Sequence, residues 1–205
     1  TVSYIYSYCY IWLYSMEKSL QQQETDCLRI VLYGPESTGK TTLAIELAKK
    51  FNTSFVPEFA REYLQEKWNK QGEKCNLDDL LEIVKGQLLN ENLAIKEAND
   101  FIFCDTNILV TKIWSETHFE GYCDPMIEKY SKILKYDHYF LTDIDTPWDK
   151  DDLRDRPNHR KEMFFYFKKV LDDKKLPYTI LKGKLFERIE IAEKTLSLIK
   201  NNYVI

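Results

Sequence analysis

The chain has 205 residues, 44% of them apolar and 30% charged, with a formal net charge of -4. That length suits one domain with a sizeable core, and the acidic balance argues against a nucleic-acid partner, which leaves a basic footprint. Five scattered cysteines with no C-x-x-C pair, beside three histidines, give neither a zinc pattern nor a disulfide framework and point to a reducing cytoplasm.

Residues 1–16 carry no charge and hold five tyrosines, Tyr4, Tyr6, Tyr8, Tyr10 and Tyr14. They lack the basic start and small-residue cleavage site of a secretory signal. They are also too few and too tyrosine-rich for a membrane helix. Ordinary charged sequence follows Met16, so translation is expected to begin there. Residues 1–22 are read as a tail outside the fold and 23–205 as one domain.

Leu28–Tyr33 reads as a buried strand. The next residues, Gly34-Pro35-Glu36-Ser37-Thr38-Gly39-Lys40-Thr41 and Thr42, fit G-x-x-x-x-G-K-[ST] in full. Glycines let successive backbone N–H groups turn toward one anion, and the following helix N-terminus adds its own. Lys40 would reach the β- and γ-phosphates of ATP, and Thr41 would place its hydroxyl on Mg²⁺. A helix is expected from Thr41 to Phe51, with Leu43, Leu47 and Phe51 on one face.

A short strand follows at Ser54–Val56, then a helix at Glu58–Trp68. Glu58 and Arg61 lie one turn apart on it and would face a phosphate acceptor; an ordinary surface ion pair is the alternative. A longer helix is expected over Leu77–Asn99, capped by Asn76 with Asp78 and Asp79 at the positive end of its dipole. Phe101–Asp105 is the third strand. Asp105 ends it at the carboxyl edge of the sheet, where open α/β sheets bind ligands. There its carboxylate would bind Mg²⁺, directly or through water, or orient an attacking hydroxyl; capping the next helix is the simpler role.

Helical patterns near 107–117 and 124–134 precede a fourth strand, His138–Thr142. The polar stretch Asp143–Arg160 reads as a mobile lid. Its Arg154 and Arg156 would neutralise a transferring phosphoryl group, and Trp148 would stack on a ligand ring or anchor the lid. Lys161–Asp172, Tyr178–Leu181 and Leu185–Ile199 complete the pattern as helix, strand and helix. The whole predicts a P-loop α/β fold: a five-stranded, mainly parallel sheet with helices on both faces.

Further segments carry a resemblance. Phe55-Val-Pro-Glu-Phe-Ala-Arg-Glu-Tyr63, Cys104-Asp-Thr-Asn107 and Thr146-Pro-Trp-Asp-Lys-Asp-Asp-Leu-Arg154 follow the phosphate loop in order. Over nearly all of 27–200 the chain resembles the ribosylnicotinamide kinase domain of NadR-type NAD-biosynthesis proteins. The resemblance implies a cytoplasmic enzyme that uses ATP and Mg²⁺ to phosphorylate the ribose 5′-hydroxyl of nicotinamide riboside. It implies Asp105 as the family's aspartate, favours binding roles for Glu58 and Arg61, and favours Arg154 over Arg156. His118, His138 and His159 form no H-x-G-H motif, so the adenylyl-transfer half of those proteins is expected to be absent. Two other readings stand beside it. One is a kinase for another nucleoside-like alcohol. The other is a P-loop ATPase or switch acting through a protein partner, although Asn69-Lys70-Gln71-Gly72 fails the guanine-reading N-K-x-D. Oligomeric state is not legible.

Overall fold

The computed structural model describes residues 20–149, 153 and 157–203. Among them five strands form one parallel sheet: β1 (Leu28–Tyr33), β2 (Phe55–Val56), β3 (Phe101–Asp105), β4 (His138–Thr142) and β5 (Tyr178–Leu181), in the order β2-β3-β1-β4-β5. The helices are α1 (Lys40–Phe51), α2 (Phe59–Gln71), α3 (Leu77–Ala94), α4 (Ile108–His118), α5 (Pro125–Ile133), α6 (Arg160–Lys174) and α7 (Leu185–Tyr203). No helix among the described residues is long and apolar enough to cross a membrane.

All six residues of β1 are buried, as a central parallel strand with both faces covered requires. Side chains alternate across a strand, so β1 feeds two cores. Ile30 and Leu32 pack with Leu43 and Leu47 of α1 and Leu196 of α7. Val31 and Tyr33 pack with Leu109 and Ile113 of α4 and with Phe167 and Leu171 of α6. Connections from β1 and β3, neighbours in the sheet, leave in opposite directions. The crevice at their carboxyl ends is therefore a topological switch point, the usual ligand position in such sheets.

The expected elements appear with shifted ends. The long helix stops at Ala94, not Asn99, and passes through a 3₁₀ turn at Ile95–Glu97 into extended backbone at Ala98. Its end is drawn back to the sheet: the Asn99 N–H donates to Thr53 Oγ1 at 2.9 Å, and the Leu28 N–H donates to Asp100 O at 2.8 Å. Asn76 caps α3 as expected, accepting from the Asp78 and Asp79 N–H groups, while Asp79 accepts from the Asn76 N–H. The second strand is only Phe55–Val56.

The expected tail ends in residues that join the body. Leu20 is fully buried with Leu80, Val84, Leu88 and Ile127. Gln22 Nε2 donates to Glu91 Oε1 at 2.9 Å and to Lys135 O at 3.0 Å. The boundary placed at residue 22 therefore lies at or before Leu20, because one leucine and one amide find partners on α3 and after α5. Residues 1–19 lie outside the described residues.

Gly86 sets the distance between α2 and α3. A Cβ there would sit 2.2 Å from the Phe59 ring. Helix propensity alone predicts that Gly86→Ala gains about 1 kcal/mol, but overpacking costs up to about 3 kcal/mol. The clash wins, and we expect a net loss of about 2 kcal/mol in urea unfolding. An unchanged midpoint would mean that the two helices are not in this contact.

Candidate active site

The loop after β1 is shaped by its glycines. Gly34 has φ 135° and Gly39 φ 80°, values that L side chains rarely adopt. A Cβ on Gly34 would also sit 2.9 Å from Thr142 Oγ1 at the end of β4. No side chain caps α1, which Gly39 precedes. The first N–H groups of that helix are thus left for an anion, together with the positive end of its dipole.

The loop is braced from beneath and from the side. Thr38 Oγ1 bonds to Pro35 O at 2.9 Å and to Thr142 Oγ1 at 2.7 Å. Arg188 of α7, 2% exposed, donates to Thr38 O at 2.6 Å, to Gly183 O at 3.0 Å and to Asp143 O at 3.2 Å, and pairs with Asp145. Arg160 donates to Ser37 O at 2.9 Å and Thr146 O at 2.8 Å. Two arginines thus hold loop carbonyls outward, which leaves the N–H side to face the cleft.

Lys40 Nζ donates to Pro35 O at 2.7 Å. Thr41 Oγ1 donates to Asp105 Oδ2 at 2.6 Å. The Asp105 residue is fully buried, and its Oδ1 has no hydrogen-bond partner among the described residues. Burial pushes this carboxyl up; the nearby Lys40 charge, the Thr41 bond and the Arg61 charge pull the other way. The carboxyl edge of β3 therefore carries an aspartate that is desolvated, held at one oxygen and open at the other. Its neighbour Asn107, not Asp105, caps α4, accepting from the Leu109 N–H at 3.2 Å.

One cleft of about 340 Å³ joins these parts. Glu36 to Thr42 line one side, with Gly34. Glu58, which precedes α2, and Arg61 in its first turn line the same cleft. Leu64, Leu80, Ile83 and Gln87 form a less polar end, and Thr106, Val110, Thr111 and Trp114 close it from β3 and α4. The expected phosphate loop, Glu58 and Arg61 are thus brought together. Pro35 and Asp105 do not line this cleft; Pro35 borders a smaller cavity, and Asp105 lies behind Thr41. Trp148 also lines the smaller cavity, with Trp114 and His118, and its ring lies 5.8 Å from the Arg160 guanidinium. Arg154 and Arg156 lie outside the described residues.

Sequence reading missed Trp114, Arg160, Arg188 and Gln87. Trp114 is half-buried and stacked on His118, with ring centroids 3.8 Å apart. Its place two turns beyond the strand-end Asp105 was the available signal. Arg160 and Arg188 carried none, because a lone arginine on an amphipathic helix looks like any solvated cation.

The chain matches the AAA domain family over residues 29–188. The trifunctional NAD biosynthesis/regulator protein NadR of Salmonella typhimurium and that of Escherichia coli are each 30% identical to it over 125 residues, 61% of this chain. The chain spans 30% of the length of those curated relatives. Among solved structures, NadR protein in complex with NAD and AMP-PNP superposes with a TM-score of 0.68 at 22% identity, covering 86% of this chain and 50% of that one. NadR protein in complex with NR gives 0.64 at 24% identity, covering 78% and 46%. At those identities the structural likeness shows the fold.

Proposed function

The chain belongs to the AAA domain family, and from that premise and the geometry of the cleft we propose that it is an ATP-dependent kinase for a small ribosyl acceptor. The acceptor we propose is nicotinamide riboside and the product its 5′-mononucleotide, a step of NAD biosynthesis or salvage. The observation that carries this reading is a cleft lined by both the phosphate loop and Glu58 and Arg61, with a desolvated aspartate behind Thr41. Such a cleft has a donor side and an acceptor side. The NadR relatives and the NR-bound NadR structure support the choice of acceptor.

In this reading the loop N–H groups and the α1 dipole bind the ATP phosphates. Lys40 exchanges Pro35 O for a γ-phosphate oxygen, and the loop itself is already braced by Arg188. Thr41 Oγ1 and the open oxygen of Asp105 are hard oxygen donors on one side of the phosphate site, a set that fits Mg²⁺. Held by these two residues, Mg²⁺ would supply positive charge against the ATP phosphates. Asp105 alternatively accepts the proton of the 5′-hydroxyl and aims it at phosphorus. Glu58 binds the ribose hydroxyls, and Arg61 offsets the charge of the phosphate that forms. Arg154, and after it Arg156, would supply planar donors to the transferring group. Catalysis is then mostly positioning and electrostatics. The experiment is turnover of ATP with and without the riboside; ADP release that requires the riboside is the expected result.

A further inference from the structure

Gln87 sits on α3 at the less polar end of the cleft, 5% exposed. Its Oε1 accepts from the Phe59 N–H at 2.8 Å, a bond that decides which end of the amide is oxygen. Its Nε2 has no hydrogen-bond partner among the described residues. Buried amide donors are nearly always satisfied, and one left open costs free energy. Phe59 itself is held against α3 by the missing side chain of Gly86. The amide is therefore oriented from one side, with a donor left to spend and apolar neighbours Leu80 and Ile83 around it.

Resting on the kinase reading, we infer that Gln87 is the residue that reads the acceptor's ring: its Nε2 donates to the carboxamide oxygen of the nicotinamide group. An acceptor oxygen on a flat ring is the chemistry this corner satisfies. The charged groups of the cleft, Lys40, Glu58 and Arg61, serve the sugar and phosphate end. Gln87 is then a specificity residue. It rewards a ring that carries a carbonyl oxygen and leaves an unpaired buried donor when the oxygen is missing.

The test compares nicotinamide riboside with ribosylpyridinium, the same ring and sugar without the carboxamide. In wild type, kcat/KM favours nicotinamide riboside. Gln87→Met should lower the preference between the two ribosides by about tenfold. The ratio is insensitive to partial loss of folded protein, so Gln87→Met stays informative if it is unstable. Equal losses with both ribosides, or none with either, would overturn the inference and leave the kinase reading standing. A wild type that does not phosphorylate nicotinamide riboside would overturn both.

Discussion

Lys40→Ala lowers riboside-dependent phosphoryl transfer by about 10²- to 10³-fold, the usual cost of removing one preorganised charge from a transition state. Its thermal midpoint stays at the wild-type value. The two halves of that expectation come from different facts. Lys40 is half-buried at the start of α1, and its ammonium is bonded to one loop carbonyl. Removing a partly exposed group of this kind typically changes stability by no more than about 0.5 kcal/mol. The loop keeps its shape because Gly34, Gly39, Thr38 and Arg188 hold it, and none of their bonds runs through Lys40. Kinetics and a melting curve on the same preparation check both halves. Wild-type turnover would remove Lys40 from the mechanism, and a collapsed melting curve would make it a structural residue.

Asp105→Asn loses about 10²- to 10⁴-fold in kcat, the range for a positioned acid or base, and at pH 7 it melts at or above the wild-type temperature. Burial raises the Asp105 carboxyl above its ordinary value, against the pull of Lys40, Thr41 and Arg61. A carboxyl raised on folding stabilises the protein below its unfolded value, and that stabilisation is lost as pH rises through the folded value. Above that folded value the wild type therefore carries the cost of a buried charge with one oxygen that has no partner among the described residues. Asparagine removes the charge and still offers Thr41 an oxygen. The two proteins should converge in stability in acid, where both side chains are neutral. An active Asp105→Asn, or one that is less stable at pH 7, would show that the carboxylate serves structure.

The fold was legible because periodicity and termination signals agreed. In β1 an apolar run, Leu28–Tyr33, interrupted only by Arg29, was bounded by Gly34, and α3 was announced by Asn76 with Asp78 and Asp79. Where a boundary moved, a tertiary bond had decided it, as when Thr53 draws Asn99 off the end of α3. The donor half of the site was equally legible. A phosphate loop needs particular residue types at fixed spacing, and its chemistry is local in sequence. The acceptor half was only partly so. Glu58 and Arg61 could be placed by their position after β2. Gln87 and Arg188 reach the site from separate helices, and nothing in their own neighbourhoods marks them. Arg188 contacts a loop 150 positions earlier in the chain. Leu20 and Gln22 were assigned to a tail for the same reason: their partners, on α3 and after α5, are distant in sequence.

The most direct measurement is ADP release from Mg-ATP by the purified chain, alone and with nicotinamide riboside, with the nucleoside product weighed by mass spectrometry. The account predicts slow release alone, a large stimulation by the riboside, and one mononucleotide formed per ADP. Basal ATP hydrolysis that ignores the riboside and a panel of nucleosides would contradict it, and would mark the chain as a nucleotide hydrolase whose phosphate loop serves some other end.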